Sequence, residues 1–205
     1  MYWRTALLGL SLMAIGAASG EPAAAVEALV PAAGTEIRFE LRDTQGKTVS
    51  STDLRGLWVL AFFGYTSCPD ICPTTLFDIA QALAHLGPLA ARVQPLFISV
   101  DPQRDTPKKL REYVNDFDER ILPLTGTAEQ LDRAARSFGV AFFKVPGASP
   151  NDYTIAHSAI ITLIGPEGGL VTRFSTNVSA DQIASKLGRL IDMNALNGPS
   201  AWRGR

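Results

Sequence analysis

Leu57-Trp58-Val59-Leu60-Ala61-Phe62-Phe63 is an unbroken apolar run bounded by Gly56 and Gly64. A short run of this kind with glycine at each end suits a central strand buried on both faces. A cysteine-bearing segment follows at once, Gly64-Tyr65-Thr66-Ser67-Cys68-Pro69-Asp70-Ile71-Cys72-Pro73. After it Leu76, Ile79, Ala80 and Leu83 recur at helical spacing, and Gly87-Pro88 stops the helix. Both cysteines are therefore expected where a buried strand turns into a helix, at the rim of a sheet.

The remaining elements fit the same architecture. Ile37 to Leu41 alternates apolar and polar as a half-buried strand does, and Asp43 to Lys47 reads as a turn. Val93 to Val100 predicts the next strand, with Pro95 near its start. Thr106-Pro107 is an N-cap followed by a proline at the first helical position. Thr127 with Gln130 and Ser179 with Gln182 have capping-box spacing, opening helices at about 128–138 and 180–192. Between them, Ser158 to Ile164 predicts a strand, Gly165 to Gly169 a turn and Leu170 to Phe174 a further strand. Alternating strands and helices, closed by a hairpin and a helix, give a thioredoxin-like α/β order, with a central mixed sheet flanked by helices.

The chain has 205 residues, 46% of them hydrophobic, enough for one domain with a proper core. The net charge is −1, without the basic excess or the charge blocks of a nucleic-acid binder. Residues 1–20 hold Arg4, an apolar run from Ala6 to Ile15, and the small residues Ala17 to Gly20. They read as a secretory signal, with an uncleaved membrane anchor as the alternative. The run reaches roughly 15 residues, short of the ~20 that a spanning helix needs. Either reading exports the folded domain. Residues 21–34, rich in Ala and Pro, are expected to be a linker, 35–193 the domain, and 194–205 a loose tail.

Only two cysteines are present, so a disulfide-stapled scaffold is excluded and a chemical role is the better starting point. The helix N-terminus expected beside them favours thiolate over thiol. Thiolates are soft ligands that select Cu(I), zinc or iron–sulfur centres. Three residues separate Cys68 from Cys72, where a dithiol redox pair usually has two. A disulfide between them, or two inert buried thiols, stays open on spacing alone. A third ligand would have to come from elsewhere. Met1 and Met13 lie in the leader and Met193 at the end of the last helix. His85 sits near the end of the first helix and reads as a solvated helix-end histidine. His157 sits at the mouth of the Ser158–Ile164 strand, after a polar loop from Ser149 to Thr154. Such a position is commonly an indifferent surface site, but in a thioredoxin-like order the loop before this strand faces the cysteine turn.

The segment Gly64 to Pro73 resembles the signature of the Sco/SenC copper-binding proteins. Val100-Asp101-Pro102-Gln103-Arg104-Asp105-Thr106-Pro107 is similar to that family's second motif. Asp152-Tyr153-Thr154-Ile155-Ala156-His157-Ser158 is similar to its histidine motif. The resemblance runs from about Phe39 to Ile191, with the motifs in order. It implies a thioredoxin fold in the periplasm or on a membrane tether, and copper, as Cu(I) or Cu(II), held by Cys68, Cys72 and His157. It also implies a role in maturing the CuA site of cytochrome c oxidase, with the CuA-bearing subunit and other copper chaperones as partners. Family members commonly carry an acidic residue just before the histidine, where this chain has Ala156. The Asp101–Pro107 segment is read as structural, its loop braced by an Arg104–Asp105 ion pair.

Three functions are compatible with these residues. A copper metallochaperone uses all three candidate ligands. A thiol–disulfide oxidoreductase that keeps partner cysteines reduced needs only Cys68 and Cys72. A thiol peroxidase needs one cysteine of low pKa that reacts quickly with peroxide.

Overall fold

The computed structural model describes residues 31–148 and 152–197. The leader, the linker up to residue 30, positions 149–151 of the polar loop and the chain beyond 197 lie outside the described residues. In chain order the strands are β1 (Glu40–Asp43), β2 (Thr48–Ser50), β3 (Trp58–Gly64), β4 (Val93–Ser99), β5 (Leu122–Thr125), β6 (Phe142–Pro146), β7 (Tyr153–His157), β8 (Ile160–Ile164) and β9 (Leu170–Ser175). The helices are α1 (Ile71–Leu86), α2 (Pro107–Asn115), α3 (Ala128–Phe138) and α4 (Ala180–Asn197).

Seven strands form one mixed sheet in the order β2-β1-β5-β4-β3-β8-β9. The strand read from the apolar run, β3, is buried at every position. It pairs in parallel with β4, from Trp58 opposite Val93 to Gly64 opposite Ser99. On its other side it pairs antiparallel with β8. Side chains pointing to both faces of β3 need cover, and the helices supply it: α1 packs against α4, while α2 lies against β5 and α3 against β1. Trp58, Phe62, Phe63 and Phe97 are among the largest fully buried side chains. Burying each is worth about 1.5–3 kcal/mol relative to leaving it exposed. The fold is thioredoxin-like.

The helix boundaries follow from capping chemistry. Thr106 Oγ1 accepts from the Lys109 amide at 3.3 Å, with Pro107 at the first helical position. Thr127 and Gln130 exchange bonds of 3.0 and 3.3 Å, as a capping box requires. Ser179 and Gln182 do the same at 3.0 and 3.3 Å. Gly87 closes α1, and the chain after it winds into a short 3-10 turn over Gly87–Arg92.

Three boundaries differ from the sequence reading. The first strand begins at Glu40 rather than Ile37, since Glu36 makes only an isolated bridge to Gly169. Helix α4 continues through Asn197, past the tail start expected at 194. Nothing from Asn194 to Asn197 breaks a helix. Most importantly, a second sheet is present. Strands β6 and β7 form an antiparallel hairpin with Phe142 opposite His157 and Pro146 opposite Tyr153. The presumed loop residues Tyr153 and Thr154 belong to β7, and the strand expected from Ser158 begins at Ile160. Among the described residues no helix is long and apolar enough to cross a membrane.

Candidate metal centre

The cysteine segment leaves β3 at Gly64 and starts α1 at Ile71. The Cys68 amide donates to the Tyr65 carbonyl at 3.2 Å, closing a turn that tucks both thiols inward. Cys68 and Cys72 are free and buried. Gly64 makes room for them, because a Cβ there would stand 2.7 Å from Cys72 Sγ and 2.8 Å from Phe97 Cε2.

The two thiols are inequivalent. Cys68 is pulled down to about 5, first by the Cys72 thiol donating to its sulfur, then by the backbone N–H groups of Cys72 and Asp70 and by the His157 ring. Those amides belong to the opening of α1, where orphan donors and the helix dipole favour negative charge. Cys72 is pushed up by the hydrogen bond it gives to Cys68, and then by burial. The pair thus holds one proton, kept on Cys72, with Cys68 as thiolate.

His157 arrives from the other sheet. It ends β7, so it stands on the hairpin rather than at the mouth of β8. Its Nε2 lies 3.5 Å from Cys72 Sγ, and its Nδ1 lies 3.4 Å from the Ser158 carbonyl oxygen. Either ring nitrogen can carry the proton: on Nε2 it supports the thiolate pair, and moved to Nδ1, towards the Ser158 carbonyl, it leaves the Nε2 lone pair free for a metal. Phe62 and Tyr65 meet the imidazole edge-on, at centroid distances of 5.9 and 6.0 Å. Ligand atoms of Cys68, Cys72 and His157 all lie within 4.8 Å of one another. Two sulfurs and an imidazole nitrogen in that space are the donor set of a soft or borderline metal.

The other sequence candidates lie elsewhere. His85 is exposed, with Nδ1 2.8 Å from Asp181 Oδ1, as a helix-end histidine would be. Met193 is exposed on α4, and Met1 and Met13 fall outside the described residues.

The Asp101–Pro107 loop is structural, but not through the pair expected. Arg104 bonds Asp101, three residues back, instead of Asp105. Both aspartates are buried. Asp105 accepts from the Thr66 amide (3.0 Å), the Thr66 hydroxyl (2.5 Å) and the Ser99 hydroxyl (2.7 Å). It therefore ties the cysteine turn to the end of β4. Asp101 also accepts from the Tyr153 hydroxyl at 2.7 Å, on the strand that carries His157. Reasoning from neighbours in sequence missed both partners. The sequence carries little signal for them: both acids follow the end of β4 in a polar stretch, and only their burial in the fold demands partners.

Comparison with known proteins follows the same residues. Positions 28–192 match the SCO1/SenC family. The bovine (Bos taurus) mitochondrial SCO2 homolog is 42% identical over 165 residues, covering 80% of this chain and 62% of that protein. This chain thus spans under two thirds of that relative. The copper-bound structure of Bradyrhizobium japonicum ScoI is 39% identical with a TM-score of 0.69, covering 75% of this chain and 98% of that one. BsSco, a member of the Sco family of cytochrome c oxidase assembly proteins with an identified disulfide switch, is 25% identical with a TM-score of 0.62, covering 79% and 97%. With its fold, its three motifs and a family match across most of its length, this chain belongs to the SCO1/SenC family.

Proposed function

We propose that this chain is a copper metallochaperone that acts outside the cytoplasm in assembling the CuA site of cytochrome c oxidase. The observation that carries the reading is the meeting of Cys68, Cys72 and His157, whose ligand atoms lie within 4.8 Å of one another. The copper-bound Bradyrhizobium japonicum relative and the oxidase-assembly role named for BsSco support it. The cargo is copper. Two thiolates and one imidazole suit Cu(I), and so sparse a ligand set lets an acceptor capture the ion by ligand exchange. Cys68 is ready as a thiolate, whereas Cys72 must give up its proton, so loading releases protons and strengthens with rising pH. The CuA-bearing oxidase subunit is the acceptor, other copper chaperones are the suppliers, and residues 1–20 export or tether the domain.

Cu(I) titration against a competing chelator tests the assignment. Wild type takes up one ion per chain. Cys68→Ser and Cys72→Ser abolish tight binding. His157→Ala weakens it by more than the roughly 10–100-fold typical of losing an outer-shell partner. Unchanged stoichiometry and affinity in Cys68→Ser would overturn the assignment.

A second reading, thiol–disulfide exchange, is favoured by the inequivalence of the thiols. The Cys68 thiolate attacks a partner disulfide. Cys72, losing its proton to solvent, then attacks the Cys68 sulfur, which leaves a Cys68–Cys72 disulfide and a partner dithiol. This chemistry tolerates His157→Ala. The reduction potential of the pair, and its reaction with an oxidised CuA domain, separate the two roles.

A further inference from the structure

Among the described residues the hairpin that carries His157 makes no ladder to the main sheet, and β6 and β7 pair with each other. Near the metal centre it is attached by the core packing of Ile155 and by polar contacts to side chains of the Asp101–Asp105 loop. The Arg104 Nη1 donates to the Tyr153 carbonyl at 2.8 Å. The Arg104 guanidinium also lies over the Tyr153 ring, 3.7 Å from its centroid, with Tyr65 on another side at 5.6 Å. The Tyr153 hydroxyl reaches Asp101, which in turn holds Arg104. Lys144 of β6 donates to Gln103 at 2.6 Å and sits 4.3 Å from the Tyr153 ring centroid. The Ile155 amide donates to the Tyr65 hydroxyl at 3.4 Å, linking β7 to the cysteine turn.

We infer that Arg104 and Tyr153 form a clamp that positions His157 as the third ligand, so that releasing the clamp frees the histidine while leaving the cysteine pair in place. The inference rests on the metal-site reading for its consequence, but the clamp itself is a property of the metal-free protein. The two anchors of the loop are separate. Asp105 ties the cysteine turn, and Arg104 with Asp101 ties the hairpin. Arg104 is suited to this place because a planar guanidinium stacks on a ring and donates from its edge at once, whereas a lysine ammonium offers a point charge without the fork. Arg104 and Tyr153 touch no ligand atom of the site and are positioning residues. Two strands joined to each other are marginal alone in water, so the hairpin's placement depends on side-chain contacts, with Ile155 holding it to the core and the clamp setting its end nearer the Asp101–Asp105 loop.

The test compares Arg104→Ala, Arg104→Lys, Tyr153→Leu and Tyr153→Phe with wild type and His157→Ala. The first readout is amide exchange in the metal-free protein. Arg104→Ala and Tyr153→Leu are expected to lower protection across β6 and β7 at least tenfold while β3 and β4 keep theirs. Tyr153→Phe, which retains the ring, keeps most of the protection, and Arg104→Lys does not restore it. The second readout is the electron paramagnetic resonance of the Cu(II)-loaded protein. The two clamp-breaking variants are expected to lose the histidine nitrogen coupling, as His157→Ala does, while the sulfur-to-copper absorption persists. Their copper affinity falls by roughly 10–100-fold. The double variant loses no more than either single one, as coupled residues do. Unaltered hairpin protection or a retained nitrogen coupling in both Arg104→Ala and Tyr153→Leu overturns the clamp. A His157→Ala protein indistinguishable from wild type in copper binding overturns the metal-site reading instead, and the exchange data still decide the clamp.

Discussion

The cysteine turn and the histidine hairpin meet at one point but are held there by different physics. The turn continues β3, the most deeply buried strand, and runs into α1, so backbone ladders and a packed core fix it. The hairpin stands outside the main sheet and is docked by side chains: Ile155 reaches into the core, and polar contacts run from Arg104 to Tyr153, from Lys144 to Gln103 and from Ile155 to Tyr65. A site assembled from one rigid and one softly held part can keep two sulfurs ready while the proposed third ligand, His157, is adjusted by a handful of side chains. The contrast is open to direct attack, beginning with the rigid part.

Asp105→Ala is expected to do the greatest damage. It removes the acceptor shared by the Thr66 amide, the Thr66 hydroxyl and the Ser99 hydroxyl, in a place fully screened from solvent. Stranding buried donors of this kind costs about 3–5 kcal/mol, with the loss of a charged acceptor at the upper end. Urea unfolding of the metal-free protein measures it. A loss under about 1 kcal/mol would mean that the turn is anchored by its strand and helix alone.

Gly64→Ala comes next, and it tests close packing rather than polar satisfaction. The added methyl group must displace Cys72 Sγ or the Phe97 ring, both closer than 3 Å to the Cβ position. Overpacking of this sort costs about 1–3 kcal/mol. The displacement falls on the cysteine half, so the hairpin amides should keep the exchange protection they have in wild type.

The third effect is pH-dependent and belongs to the cysteine half as well. An unfolded cysteine titrates near 8.5, whereas Cys68 in the fold sits at about 5 and Cys72 is raised. Between those values the unfolded chain binds more protons at position 68 than the native one, so stability rises with pH across that window. It is lost as pH falls through about 5. Above 8.5 the sign reverses, because unfolded Cys72 ionises while native Cys72 keeps its proton. The slope on the rising side is at most about 1.4 kcal/mol per pH unit. The difference in urea midpoint between the reduced wild type and a Cys68→Ser, Cys72→Ser protein isolates this contribution. A flat difference from pH 5 to 8.5 would show that no thiolate is held at Cys68. The ultraviolet absorbance of the thiolate, followed over the same range, gives an independent reading.

The same division explains what could be read from the sequence. The apolar run at Leu57–Phe63, the helical spacing after Cys72 and the caps at Thr106, Thr127 and Ser179 are local signals, and the elements follow them closely. The hairpin was hidden because β6 has no buried face to write an alternating pattern, with Phe143 and Val145 exposed. The partners of the Asp101–Asp105 loop were hidden for a different reason. Thr66 lies 39 residues from Asp105 and Tyr153 lies 52 from Asp101, so only the fold brings them together. His157 is reachable from its motif and the thioredoxin-like order, although it ends β7 and does not open β8.

The smallest expected effect concerns Ala156, where the family commonly has an acid. Side chains alternate along a strand, so Ala156 faces away from the side that His157 and the buried Ile155 share. Across the ladder it is paired with Phe143, which is 64% exposed. A carboxylate introduced by Ala156→Asp therefore enters a solvated face of the hairpin and meets no ligand atom. It should change stability by no more than about 0.5 kcal/mol, the range of ordinary surface substitutions. Copper affinity and the nitrogen coupling of His157 should stay as in wild type. A tenfold or larger change in affinity would show that the hairpin transmits a charge on its outer face to its inner one. The soft attachment described above would then tune the metal electrically as well as hold its ligand. With no such change, Ala156 bears on the outer surface, where a hydrophobic strip of Phe143 and Val145 stands in place of a charge beside the histidine.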